Sequence, residues 1–301
     1  MYLLADALPA VRRWRIPFTR DQLFLLMAAL NEYLLALEIY LAHSISGTIR
    51  PDEWIPIVFG PISGTFLVVA GLANRRNRSL AVWLAVPTYV LSIAVGLLGA
   101  WFHVYRAVLP FAPAGERVNL GLLVWGPPVI APLTFALVGV FGLSALWVED
   151  PPDTGTLVLP RGLRLRLPFS KTRAYFFWVS LGMLATLLSS VLDHAHTDFS
   201  DSWLWVPTTA GVLGTVAPLI MGFLERPTRS DVLAYAVSMS LILLVGVVGV
   251  VLHIRTNLVV EGAVVGERFI RGAPILAPML FADIATFGLL VLLDSDERAR
   301  G

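Results

Sequence analysis

The sequence contains the same arrangement of apolar segments twice, with the second copy about 151 residues after the first. The first copy opens with Arg-Ile-Pro-Phe-Thr-Arg at positions 15–20, and the second opens with Arg-Leu-Pro-Phe-Ser-Lys at 166–171. An internal repeat fixes the architecture of a chain before any single motif does. The repeat also points to individual residues of interest, because a residue that recurs at the same place in both copies has been retained in each. At shifts of 150 or 151 the shared positions include His43 with His194, Pro56 with Pro207, and His103 with His253.

The composition is that of a membrane protein. Of the 301 residues, 57% are hydrophobic and 14% are charged, whereas a soluble domain carries about 25% charged residues. A helix needs roughly 20 mainly apolar residues to cross a bilayer. The segments are too long and too uniformly apolar for the strands of a membrane barrel. Eight segments qualify as spanning helices: 23–42, 54–72, 80–102, 128–147, 174–192, 205–224, 232–252 and 274–293.

The distribution of basic residues predicts the orientation. One side of the predicted helices collects 16 of the 22 Lys and Arg residues. Excess positive charge marks the cytoplasmic side, so both termini are expected in the cytoplasm. We therefore predict an all-α integral membrane protein of the cell (inner) membrane, built as a parallel tandem duplication of a four-helix module. The six basic residues on the other side are Arg50, Arg106, Arg117, Arg255, Arg268 and Arg271.

The predicted division is a first module over 1–150, a cytoplasmic linker over 151–173 and a second module over 174–301. Within the linker, residues 163–167 read Leu-Arg-Leu-Arg-Leu. This alternation favours a short extended segment on an anionic membrane surface, and an ordinary basic loop explains it equally well.

Several chemistries are excluded by composition. The chain has no cysteine, so disulfides, thiolate metal sites and cysteine nucleophiles are absent. The net charge of +1 gives no reason to expect nucleic-acid binding. The expected partner is the lipid bilayer, with a redox partner subunit on the outer face as a further expectation.

Four histidines are retained in both copies, and all lie near the outer ends of predicted helices. His43 and His103 end the first and third helices, and His194 and His253 end the fifth and seventh. Two imidazoles at one depth on different helices suit the axial ligands of a b-type haem, or part of a smaller metal site that also includes His196. Capping of helix ends by polar side chains is the alternative.

A repeated glycine motif precedes two of these histidines. Gly96 and Gly99 stand before His103, and Gly246 and Gly249 stand before His253, in the pattern Gly-x-x-Gly-x-x-x-His. The spacing puts both glycines on the face of the helix that carries the histidine. The freed space suits either a haem macrocycle or close packing of a neighbouring helix.

The fourth and eighth segments both open with two prolines. They read Gly-Pro-Pro-Val-Ile-Ala-Pro at 126–132 and Gly-Ala-Pro-Ile-Leu-Ala-Pro at 272–278. The second proline of each pair frees a carbonyl, at Pro128 or at Pro274. Freed backbone at membrane depth persists only where it is buried in protein or lines a cavity. A helix start that simply contains two prolines is the other interpretation.

Three acidic residues fall within predicted helices and are not shared by the copies. Glu32 and Glu38 lie in the first helix, and Asp283 lies in the eighth. Ionisable groups inside a membrane are costly and are candidates for function. Glu38 and, more weakly, Asp283 are candidate catalytic proton acceptors at a quinol site. Hydrogen bonding of Glu32 and Glu38 to other helices is the alternative.

Together these patterns predict a membrane electron-transfer subunit with outer bis-histidine haem b sites and possible quinone interaction. Eight helices in two bundles resemble, in architecture alone, the quinol-interacting membrane subunits of polysulfide-reductase type. The alternatives are a transporter or metal-handling protein with an outer His-lined cavity, and a cofactor-free anchor subunit of a larger complex.

Overall fold

The computed structural model describes residues 4–8, 18–44, 47–73, 76–108, 130–159, 162–258 and 267–293. Six of its helices are long and apolar enough to cross a membrane. Large apolar side chains on these helices are exposed, including Trp83 at 75% and Phe223 at 68%. Such surfaces need an apolar surrounding, so the structure indicates a multi-pass membrane protein.

A short helix, α1 (Leu4–Ala7), precedes the first bundle. The first bundle comprises α2 (Arg20–Ser44), α3 (Trp54–Ala73), α4 (Arg78–Val108) and α5 (Leu133–Leu146). The second comprises α6 (Lys171–Ala195), α7 (Trp205–Phe223), α8 (Arg229–Leu258) and α10 (Met279–Leu290), with the short α9 (Arg268–Arg271) before its last helix.

The two bundles are packed in the same order. In the first, α2 and α4 each contact both α3 and α5, so α2 and α4 lie diagonally across the bundle. In the second, α6 and α8 each contact both α7 and α10. Between the bundles, α2 contacts α10 and α5 contacts α6. These two contacts are the seams between the bundles. The sequence shift carries α2 to α6 and α5 to α10, so each seam is the equivalent of the other. The starts of α2, α3 and α4 precede those of α6, α7 and α8 by 151 residues.

The last helix of each bundle begins later than its sequence predicted. The prediction placed the starts at 128 and 274, but α5 has 14 residues and α10 has 12. At 1.5 Å per residue these helices are about 21 and 18 Å long, short of a hydrocarbon core of about 30 Å. Each begins directly after the second proline, Pro132 or Pro278. Residues 128 and 129 lie outside the described part.

A small antiparallel sheet joins the bundles, although no strand was predicted there apart from the extended segment near 163–167. Its strands are β1 (Val148–Glu149), β2 (Thr156–Val158) and β3 (Arg164–Arg166), in that order. Residues 162–166 are all exposed. Glu149 ties the sheet to the second bundle, because one carboxylate oxygen accepts the backbone N–H groups of Gly155 at 2.6 Å and Lys171 at 3.0 Å.

Aromatic side chains fill the space between the bundles. Phe24 packs against Tyr175 with ring centroids 5.0 Å apart, and Phe141 packs against Phe287 at 4.8 Å. The sequence shift carries Phe24 to Tyr175, and the shorter shift of the last helix carries Phe141 to Phe287. Each bundle therefore contributes two aromatic residues, related by these shifts, to one buried cluster.

Buried charges lie beside this cluster, at the end of the bundles that carries the sheet. Lys171 donates to a carboxylate oxygen of Asp21 at 3.2 Å and to the carbonyl of Trp147 at 2.7 Å. Arg20 donates to the hydroxyl of Thr172 at 3.0 Å. The four residues of these two pairs are buried, with exposed fractions of 1–6%. The ion pair and the hydrogen bond are related by the sequence shift, because adding 151 carries Arg20-Asp21 to Lys171-Thr172.

Candidate functional site

The histidines of the first bundle face each other from the diagonal helices α2 and α4. Their imidazole centroids, His43 and His103, are 6.3 Å apart. The Nδ1 atom of His43 lies 2.9 Å from the carbonyl oxygen of Ile39, one turn earlier. A proton on Nδ1 makes that hydrogen bond, and Nε2 then carries no proton and can act as a ligand or an acceptor. Nε2 lies 4.0 Å from the carboxylate of Glu53.

The second bundle holds its histidines by different contacts. His194 packs against Phe199 with ring centroids 6.1 Å apart, and it lies within electrostatic range of His253. Nδ1 of His253 is 2.7 Å from the carbonyl oxygen of Pro274. This carbonyl is the one that Pro278 was predicted to free, so a histidine satisfies it. His196 is exposed at the end of α6.

The four repeated glycines lie against the last helix of their own bundle. A Cβ on Gly96 would lie 2.5 Å from the backbone nitrogen of Ala136, and one on Gly246 would lie 2.6 Å from that of Ala282. Gly99 and Gly249 meet the rings of Pro132 and Pro278 in the same way, each at 2.8 Å. Of the two interpretations left open, the structure therefore supports helix packing. The prediction that these glycines make room for a macrocycle is not supported, because helix backbone fills that room.

The start of α10 is fixed by an asparagine from α8. Asn257, which is 1% exposed, donates to the carbonyl of Ala273 at 2.8 Å and accepts the N–H of the same residue at 2.9 Å. The two bonds hold the chain beside Pro274, the partner of His253. No repeated pattern points to this residue, since its counterpart at the shift of 150 is Ala107.

Glu32 is a fully buried link between three helices of the first bundle. Its two carboxylate oxygens accept hydrogen bonds from Ser63 of α3 and Ser92 of α4, each at 2.6 Å. The residue is 0% exposed. The bonding to other helices named as an alternative for Glu32 is thus observed, and the two serines were missed because isolated serines in apolar segments carry no pattern.

The two candidate catalytic acids, Glu38 and Asp283, line one pocket, although they stand 245 residues apart in the sequence. The pocket lies at the seam between α2 and α10. Asn31 also lines it and donates to Asp283 at 3.1 Å and to the carbonyl of Met27 at 3.0 Å. Asn31 and Glu38 thus occupy one face of α2, as their spacing predicted. The rest of the lining is apolar: Leu34, Leu35, Leu276, Met279 and Leu280.

The equivalent place at the other seam is apolar. The shift carries Asn31 to Gly182 and Asp283 back to Leu137, and a Cβ on Gly182 would lie 3.1 Å from Leu137. The polar pocket is therefore a feature of one seam only.

No group of three or more His, Asp or Glu side chains suitable for a metal ion occurs among the described residues. A metal site built from His43, His103, His194, His253 and His196 stays a prediction. A haem iron needs only two axial side chains, so this finding does not bear on the haem prediction.

Comparison with known protein families, curated protein sequences and solved structures finds no match for this chain. The function must therefore be argued from the residues themselves.

Proposed function

We propose that the chain is a tandem duplication of one four-helix module, with both copies in the same orientation in the cell (inner) membrane. Two observations support this proposal. Equivalent helices start 151 residues apart, and the sequence shift relates the two contacts between the bundles to each other. The histidine end then faces outward, and the linker sheet and both termini face the cytoplasm, as the excess of basic residues at that end predicts.

We further propose that the protein is a membrane electron-transfer subunit that binds b-type haem between diagonal helices at the outer face. One observation carries the proposal: His43 and His103 meet across the first bundle with ring centroids 6.3 Å apart. Two imidazoles whose nitrogens each lie about 2 Å from one metal place their ring centres roughly 6 Å apart. The two rings are thus separated by a distance at which both could hold one haem iron.

The contacts of Nδ1 add to this. A ligating histidine usually donates its other N–H to a carbonyl or carboxylate, which fixes the ring and the tautomer. His43 and His253 each place Nδ1 beside a backbone carbonyl. His194 and His253 are the equivalent ligands of the second module. A bound haem would supply one-electron transfer, and a redox partner on the outer face would deliver or accept the electron.

A quinol remains a possible electron donor under this proposal, with Glu38 and Asp283 as proton acceptors. The pocket beside them is about 20 Å³, which is room for about one water molecule and not for a quinone ring. Quinol binding there requires α2 and α10 to separate.

An absorption spectrum tests the proposal. We expect the purified protein, expressed with a haem precursor, to show a Soret band and an alpha band on reduction. Replacing His43 by Leu should diminish both bands, whereas His196→Leu should leave them unchanged. A featureless spectrum contradicts the proposal and favours a cofactor-free anchor subunit.

A transporter is the second candidate, because the polar pocket lies between the modules and the non-helical Leu276 before α10 lines it. Transporters built from repeats place ion and substrate sites at the repeat interface, beside interrupted helices. Bound metal by elemental analysis, lost in a His43/His194 double variant and without a haem spectrum, favours this candidate in its metal-handling form.

A further inference from the structure

The pocket at the seam of α2 and α10 contains a carboxylate, Glu38, in mainly apolar surroundings. Glu38 makes no hydrogen bond or salt bridge with any described residue, and four leucines and a methionine line the pocket with it. An ionised carboxylate in apolar surroundings is costly unless it is paired. Either a cation or a proton on the carboxyl group removes this cost.

The size of the pocket restricts what binds there. A volume of about 20 Å³ holds about one water molecule. An organic substrate is excluded in this conformation, and a proton or a small bare cation remains.

The charged groups around Glu38 favour a proton. Asp283 faces it from α10 across the pocket, and Asp193 of α6 lies within electrostatic range. The short helix α9, with Arg268 at its start, also packs against α2, and the guanidinium of Arg268 donates to the carbonyl of Thr256 at 3.2 Å.

The pocket is not needed to pack the seam. At the equivalent seam, Gly182 and Leu137 make an apolar contact in place of Asn31 and Asp283, and Ser189 stands in place of Glu38. Polar side chains inside a membrane protein are costly. We therefore expect them at one of two equivalent seams where they serve a function.

We propose that Glu38, Asp283 and Asn31 form a proton-binding site at the seam of α2 and α10. In the binding step a carboxylate oxygen of Glu38 takes one proton from hydronium and releases a water molecule, and no electron moves. Asp283 and Asn31 hold the polar side of the pocket. The site goes beyond the haem proposal and does not depend on it.

Infrared spectroscopy tests the site, because a carboxyl group that carries a proton in apolar surroundings absorbs apart from a carboxylate and the measurement needs no reagent in the pocket. Spectra of the purified full-length protein in detergent are recorded in mildly acidic and in alkaline buffer. We expect the band of a protonated carboxyl group in acid, its loss in alkali, and its absence from the spectra of Glu38→Gln. Asp201→Asn, at a solvent-exposed carboxylate, should leave the band unchanged.

Two further variants sharpen the result. Asp283→Asn should alter the pH at which the Glu38 band is lost, whereas Ser189→Ala, at the position equivalent to Glu38 in the second bundle, should not. Absence in mildly acidic buffer of any band that depends on Glu38 overturns the proposal. Loss of the band on addition of Na⁺ at constant pH overturns it in favour of a sodium site. The haem spectrum of the same sample is independent of these outcomes, so the two proposals fail separately.

Discussion

Residues of the same type serve either helix packing or a chemical role in this protein, depending on what surrounds them. The glycines before His103 and His253 permit α4 and α8 to approach the last helix of their bundles to backbone contact. The carboxylate of Glu32 links three helices by hydrogen bonds. Glu38, two turns later on α2, makes no such bond with any described residue. Identical residue types therefore need different interpretations, and only their surroundings distinguish them.

A glycine comparison tests the packing role. We expect Gly96→Ala to destabilise the protein by about 1–3 kcal/mol, because the new methyl group meets backbone that cannot rotate away. Gly71→Ala is the matched control, since its Cβ would lie 3.4 Å from the flexible side chain of Leu26 and alanine favours the helix. Thermal unfolding in detergent measures both. Equal melting temperatures for the two variants would contradict the role assigned to Gly96.

At the scale of the element, the start of α10 is determined by contacts from α8. Two prolines remove backbone donors there, Asn257 fixes Ala273, and His253 approaches the carbonyl of Pro274. The end of one helix thus shapes the beginning of the next.

Replacing Asn257 by Ala removes both bonds to Ala273. Buried groups left without partners cost about 1–3 kcal/mol, so we expect lower stability and faster hydrogen exchange at residues 273–276. The exposed Ser240, whose hydroxyl bonds only within α8, supplies the control variant Ser240→Ala. Unchanged exchange at residues 273–276 in Asn257→Ala would show that other contacts fix this segment.

The elements differ in how far the sequence predicts them. Six long helices follow from apolar length alone, and their ends lie within a few residues of the prediction except at the last turns of α4 and α8. The late starts of α5 and α10 were missed because apolar composition continues through the prolines while helical bonding does not. Within the sheet, the sequence predicts only β3, from its alternating apolar and basic residues. The strands β1 and β2 are two and three residues long, which is too short to show such a pattern.

At the scale of the whole molecule, the seams between the bundles were the least predictable part. Hydropathy placed the starts of the first and fifth helices at 23 and 174, after the charged residues Arg20, Asp21 and Lys171. These charges are instead buried against each other, across about 150 residues of sequence. The pocket was anticipated only through its members Asn31, Glu38 and Asp283, since no local pattern shows which helices adjoin.

A double-mutant cycle tests the seam. Asp21→Asn and Lys171→Met each remove one member of the buried ion pair, and breaking such a pair costs about 3–5 kcal/mol. In Lys171→Met the carboxylate of Asp21 keeps its contact with Arg20 at 3.4 Å, so we expect this variant to be the less destabilised of the two. We expect the double variant to be less destabilised than the sum of the single variants, because both charges are removed together. Unfolding in detergent at fixed pH provides the free energies. Strict additivity would mean that Lys171 and Asp21 do not stabilise each other.

The haem content of the purified protein tests the central claim most directly. We predict two b-type haems per chain, determined from the reduced pyridine complex, with one lost in His43→Leu or His103→Leu and the other lost in His194→Leu or His253→Leu. One haem, lost with a single pair, would mean that only one module retains the site. Protein that folds, is supplied with haem and still shows no Soret band would contradict the account.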